Sequence, residues 1–109
     1  MTETYAVRKE PRTSVRCSFC YFCDGALGEG TVWDLSKSGW RANGSIAVTP
    51  GSELTVYLKL SDESGSGHIP VEGATVRWVE GLNMGWEITK IEDAARTRLD
   101  EFLARCEEQ

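Results

Sequence analysis

An antiparallel β-barrel of about six short strands, covered by one C-terminal helix, is the fold the sequence predicts. Two observations carry it. Apolar and polar residues alternate over several short runs separated by turn residues, the period of half-buried strands. From Ile91 onward the apolar residues switch to helical spacing. A chain of 109 residues holds one modest core, so strands and helix must share it.

Taken in order, residues 1–12 are polar and contain Pro11, which removes a backbone donor and turns Glu10 away from helix. Residues 14–23 read as the first strand. Val15, Cys17, Phe19, Tyr21 and Cys23 face one way, and Arg16, Ser18, Cys20 and Phe22 the other. Asp24-Gly25 and Gly28-Glu29-Gly30 read as turns. Thr31-Val32-Trp33 is a short second strand running into Asp34, and Gly39 and Asn43-Gly44 bracket a third around Trp40. Pro50-Gly51 is a turn. Over residues 53–60, Leu54, Val56, Leu58 and Leu60 alternate with Thr55, Tyr57 and Lys59. A Ser/Gly/acidic loop at 61–67 leads into a strand over 69–79, open to interruption at Gly73. Gly81 to Gly85 connect it to Trp86-Glu87-Ile88. Thr89-Lys90-Ile91-Glu92 has the form of a capping box. The helix that follows buries Ile91, Ala95, Leu99, Phe102, Leu103 and Cys106. The expected organisation is a flexible arm over 1–12 and a single barrel domain over 13–109, with the helix at about 91–106.

The net charge is −5, which argues against DNA or RNA binding through a broad basic surface. The charge is unevenly placed. Residues 1–16 carry Arg8, Lys9, Arg12 and Arg16 against Glu3 and Glu10, while the remainder is strongly acidic. A local basic arm on an acidic body suits a small anionic ligand. No apolar run is long enough to span a bilayer, and no signal peptide is evident. A cytoplasmic protein with reduced thiols is expected.

Two polar motifs stand out. Arg8-Lys9-Glu10-Pro11-Arg12 precedes the first strand, and Asp34-Leu35-Ser36-Lys37-Ser38-Gly39 follows the second. In an antiparallel pair the start of the first strand lies beside the end of the second. Arg12 and Asp34 are therefore expected at one edge of the barrel. Arginine forks two donors onto phosphate, or onto O6 and N7 of guanine. A carboxylate such as Asp34 accepts from guanine N1–H and N2–H. Ser36 adds a hydroxyl, and Gly39 permits positive φ or a close backbone approach to ligand. Lys9 and Arg41 are additional cations nearby. Taken alone, the arginine pair reads as solvated charge and the second motif as an ordinary turn.

Arg-x-x-x-Arg before one strand and Asp-x-Ser-x-x-Gly after the next resemble the PilZ domain family. The resemblance extends to Pro50-Gly51, Ala74-Thr75-Val76-Arg77-Trp78-Val79, Gly85-Trp86-Glu87-Ile88 and the terminal helix. It implies a mainly β, six-stranded antiparallel PilZ-type barrel with a C-terminal α-helix. It also implies binding of the bacterial second messenger cyclic di-GMP through Arg8, Arg12, Asp34, Ser36 and Gly39. Ligand would order the N-terminal arm and alter the binding of an unidentified downstream protein. A PilZ-fold adaptor that binds protein without nucleotide is the alternative.

Cys17, Cys20 and Cys23 form a Cys-x-x-Cys-x-x-Cys run, with Cys106 distant. Such runs hold iron–sulfur clusters or zinc when the thiolates converge. A strand instead sends Cys20 to the face opposite Cys17 and Cys23, so packing is preferred over a metal or redox role. Trp33, Trp40, Trp78 and Trp86 read as core or half-buried, with Trp78 an alternative shelf for a guanine. No nucleophile–base arrangement appears, and His68 stands alone in a Ser/Gly loop. Neither an enzyme nor a resident cofactor is expected.

Overall fold

The computed structural model describes residues 13–59 and 68–107, with side chains from 17 to 59 and from 68 to 105. The expected N-terminal arm, the 61–67 loop, and the side chains of Arg16, Leu60 and Cys106 lie outside them. The strands are β1 (Thr13–Cys23), β2 (Ala26–Leu35), β3 (Gly39–Gly44), β4 (Glu53–Lys59), β5 (His68–Glu80) and β6 (Asn83–Lys90), followed by helix α1 (Asp93–Glu107). They close into an antiparallel barrel in the order β1-β2-β3-β6-β5-β4. No helix among the described residues is long and apolar enough to cross a membrane.

The alternation expected of β1 is present. Cys17, Phe19 and Tyr21 are buried, whereas Ser18 and Phe22 are exposed. The β1–β2 turn is the two-residue Asp24-Gly25, with φ of 53° and 81°. Both residues are left-handed, as a tight hairpin matched to strand twist requires. Gly28 and Gly30 do not make a second turn but lie within β2, which is therefore longer than expected. A Cβ on Gly28 would sit 2.4 Å from the Tyr21 ring, and one on Gly30 would sit 1.8 Å from the Asn43 carbonyl oxygen. These glycines let strands and core side chains approach closely.

Two further expectations shift at the β5–β6 end. The turn is confined to Gly81-Leu82, with Gly81 at φ 67°, and Gly85 lies inside β6. Thr89 and Lys90 also belong to β6, where Lys90 pairs with Gly73. The Thr89 hydroxyl donates to the Glu53 carboxylate rather than capping the helix. The first helical bond runs from the Arg96 N–H to the Glu92 carbonyl, 2.8 Å, and Asp93 suits the positive end of the helix dipole. Strand pairing thus extends β6 past the expected cap. At Gly73 the β5 ladder does slip register.

The core centres on four stacked or edge-on rings: Phe19, Tyr21, Trp40 and Trp86, with centroids 5.3–6.2 Å apart. The Tyr21 hydroxyl donates to the Ile46 carbonyl at 2.5 Å and accepts from the Ile46 N–H at 3.0 Å. That clamp fixes the segment between β3 and β4. Ala95, Leu99, Phe102 and Leu103 bury one stripe of α1, the i, i+3, i+4 face expected from the sequence. Two arginines tie the helix to the barrel. Arg96 Nη1 donates to the Lys37 carbonyl at 2.6 Å, and Arg98 Nη1 to the His68 carbonyl at 2.9 Å.

Candidate functional site

The Asp34–Gly39 motif lies at the end of β2 and the start of β3, and the register places it beside the beginning of β1. Thr13 pairs with Leu35 and Ser14 with Asp34. Arg8, Lys9 and Arg12 lie outside the described residues. Across the sheet, one row of partners runs Ser14–Asp34–Arg41–Gly85–Trp78 through β1, β2, β3, β6 and β5. The neighbouring row, Leu35–Trp40–Trp86–Val76, is wholly inward. The period of two therefore sends Arg41 and Trp78 to the outer face.

Asp34 is buried at 5% exposure. A register slip between Val32 and Asp34 breaks the strand's alternation here and lets the carboxylate sit low in the wall. Arg41 reaches over it. Its Nε donates to Asp34 Oδ2 at 2.7 Å, and its Nη2 donates to the same oxygen. The hydrogen bond to Asp34 holds the guanidinium pKa above its usual value, with partial burial acting the other way. Arg41, read from sequence only as an extra cation, is thus a direct partner of the motif carboxylate.

Ser36 is also buried, and its hydroxyl is committed within the turn. It donates to the Gly39 carbonyl at 3.2 Å and accepts from the Ser38 N–H at 3.3 Å. The Ser36 N–H donates to the Gly39 carbonyl at 2.9 Å. Gly39 is not left-handed. A Cβ there would lie 2.0 Å from the Trp86 carbonyl oxygen, so this glycine is required by the neighbouring strand. The motif serine and glycine shape the loop, and the motif aspartate orients an arginine.

A cleft of about 270 Å³ opens beside this turn, lined by Ser38, Gly39, Arg41, Arg77, Trp78 and Glu87 among others. A second register slip, between Val76 and Trp78, makes Arg77 a bulge residue. Arg77 and Trp78 consequently both face outward. Trp78, 38% exposed, lies over Gly85, where a Cβ would fall 2.1 Å from its Nε1. Arg77 Nε donates to Glu87 Oε1 at 2.5 Å, and Nη2 pairs with the same oxygen. Trp78 was a candidate from the sequence, whereas Arg77 and Glu87 were not. Strict alternation puts Arg77 and Trp78 on opposite faces, and only the bulge unites them.

A larger cleft, about 530 Å³, lies on the outer face of β1, β2 and β4 and includes Cys20, Glu29, Tyr57, Lys59 and His68. Among the described residues, none of the Asp34–Gly39 motif lines it. Cys17 is buried inside the barrel while Cys20 faces this outer cleft, so those two thiols diverge. Burial and the adjacent Asp24 push the Cys23 thiol pKa up. Among the described residues no group of three or more His, Cys, Asp or Glu is placed to hold a metal ion.

Solved structures share this architecture. The Bacillus subtilis inhibitor of motility, MotI/DgrA, superposes with a TM-score of 0.79 at 16% identity, covering 94% of this chain and 51% of that one. Escherichia coli YcgR in complex with c-di-GMP gives 0.72 at 14% identity, over 94% and 46%. The PilZ domain of E. coli YcgR with c-di-GMP gives 0.66 at 16% identity, over 94% and 92%. The chain therefore spans about half the length of the first two. At these identities the likeness is one of fold. No curated protein matches the sequence. The sequence model of the PilZ domain matches residues 6–105, nearly the whole chain, and the chain belongs to the PilZ domain family.

Proposed function

We propose that this chain is a receptor for cyclic di-GMP, which it binds without chemical change. The observation that carries this reading is the pairing of Ser14 with Asp34. The chain that bears Arg8 and Arg12 enters β1 beside the Asp-x-Ser-x-x-Gly turn and the cleft. Arg8 and Arg12 supply forked donors to phosphate or guanine. Arg41, held by Asp34, keeps its Nη1–Nη2 edge for the ligand. Trp78 offers a half-exposed ring on which a guanine stacks. Ser36 and Gly39 act by fixing the loop. The described fold is similar to that of a PilZ domain solved with c-di-GMP, which supports the same ligand here. Lys9 adds positive charge to the arm.

Binding orders the arm of residues 1–12 across the edge of the barrel domain and changes the surface a downstream protein reads. Titration calorimetry with cyclic di-GMP tests the reading, on wild type, Arg8→Ala and Arg12→Ala. Saturable heat in wild type and its loss in both variants are expected. No heat at high micromolar ligand would refute the receptor reading. A protein partner captured equally well with and without nucleotide would favour an adaptor.

A further inference from the structure

The β5 bulge brings a feature into the cleft that neither motif contains. Arg77 is the unpaired residue between Val76 and Trp78, and it stands next to the exposed indole of Trp78. Glu87, its partner, is the register partner of Gly39, the last residue of the motif turn. Both Arg77 and Glu87 line the same cleft as Ser38, Gly39 and Arg41. The contact pattern fixes which edge of the guanidinium is occupied. Glu87 Oε1 takes Nε and Nη2, so the Nη1–Nη2 edge carries two parallel donors with no described partner. Asp34 holds Arg41 by the same Nε–Nη2 edge. The cleft thus has two arginines, each backed by a carboxylate.

Resting on the receptor reading above, we propose that Arg77, oriented by Glu87, is a specificity-determining residue that reads the O6/N7 edge of a guanine stacked on Trp78. A base suits this position better than a phosphate. The Arg77–Glu87 pair is neutral overall, so it contributes little field to attract an anion, and the Glu87 carboxylate repels one. What the pair does offer is a planar two-donor fork beside an aromatic shelf. That fork matches the two acceptors on the Hoogsteen edge of guanine and mismatches adenine, which presents one acceptor and one donor there. Glu87 is a positioning residue: it restricts a long side chain whose head is otherwise mobile in solvent.

The test compares the affinity of the full chain for cyclic di-GMP and cyclic di-AMP by calorimetry, in wild type, Arg77→Ala, Arg77→Lys and Glu87→Gln. All three substitutions are at exposed or half-exposed positions, and thermal melting of each verifies the fold. Arg77→Ala should weaken cyclic di-GMP by about tenfold or more while barely changing cyclic di-AMP, collapsing the discrimination ratio. Arg77→Lys should lose most of that ratio despite keeping the charge. Glu87→Gln should lower it by a smaller factor. Equal losses for both nucleotides would mean that Arg77 acts on phosphate and would overturn the proposal. So would wild-type affinities in Arg77→Ala. Failure of wild type to bind cyclic di-GMP would instead remove the receptor reading and this inference together.

Discussion

At the scale of single residues, the pairing of Asp34 with Arg41 joins stability to binding. Asp34 is buried and Arg41 is about half exposed, so truncating the arginine takes a charged donor from a carboxylate that water reaches poorly. Arg41→Ala should destabilise the domain by about 1–2 kcal/mol, measured by urea unfolding, and should also weaken cyclic di-GMP. Tyr21 carries a pH dependence. Burial raises its pKa above the ordinary 10.0, the hydrogen bond with Ile46 lowering it only in part. The unfolded chain therefore releases this proton first. The stability contribution is complete below pH 10 and is lost as pH rises through the folded pKa. Melting temperature should fall as pH rises above 10, and Tyr21→Phe should start lower at neutral pH but fall less steeply. The motif residues stood out in the sequence through their resemblance to the PilZ domain family, since Asp, Ser and Gly at that spacing alone read as an ordinary turn. Their contacts were not: the burial of Ser36 and the grip of Arg41 depend on which strand lies opposite.

Among the elements, two glycines of one cleft separate folding from binding. A Cβ at Gly39 meets backbone, the Trp86 carbonyl oxygen, whereas a Cβ at Gly85 meets the side chain of Trp78. Gly39→Ala forces β3 and β6 apart and should cost about 1–3 kcal/mol. Gly85→Ala should leave the melting temperature closer to wild type yet displace the indole and weaken the ligand. An outcome with the two effects interchanged would contradict the assigned contacts. Glycine is also where element boundaries were hardest to read. Gly28 and Gly30 have the composition of a turn, but their reason lies in Tyr21 and Asn43, remote in sequence. The helix start was misplaced for a related cause. Thr89 and Glu92 satisfy a local capping pattern, while the competing ladder with β5 is set by Gly73. Alternation in β1 and β4 and the apolar stripe of α1 needed no distant partner and were legible directly.

For the whole molecule, closure of the sheet puts the motif turn, the cleft and the C-terminal helix into one cooperative unit. A ligand that binds only the folded state stabilises it by about 2.7 kcal/mol at a free concentration one hundred times Kd. For a domain of this size that corresponds to a rise in Tm on the order of 10 °C. Differential scanning fluorimetry with and without cyclic di-GMP should show such a rise, and Arg8→Ala should abolish it. The barrel was predictable because short alternating runs have few ways to bury their faces in so small a chain. The site was only partly so, since a bulge is an irregularity of pairing and leaves no mark in the local pattern around Arg77 and Trp78.

The hydrogen bond from Arg96 on α1 to the carbonyl of Lys37 joins the helix to the middle residue pair of the motif turn. Thermodynamic reciprocity gives this single contact a two-way meaning. If occupancy of the cleft shifts the turn and alters the free energy of the helix, then a protein docking on the helix must alter ligand affinity by the same factor. Arg96→Ala should reduce that mutual factor toward one, even where each affinity measured alone changes little. A partner on the helix would then act on the cleft as much as a ligand in the cleft acts on the helix.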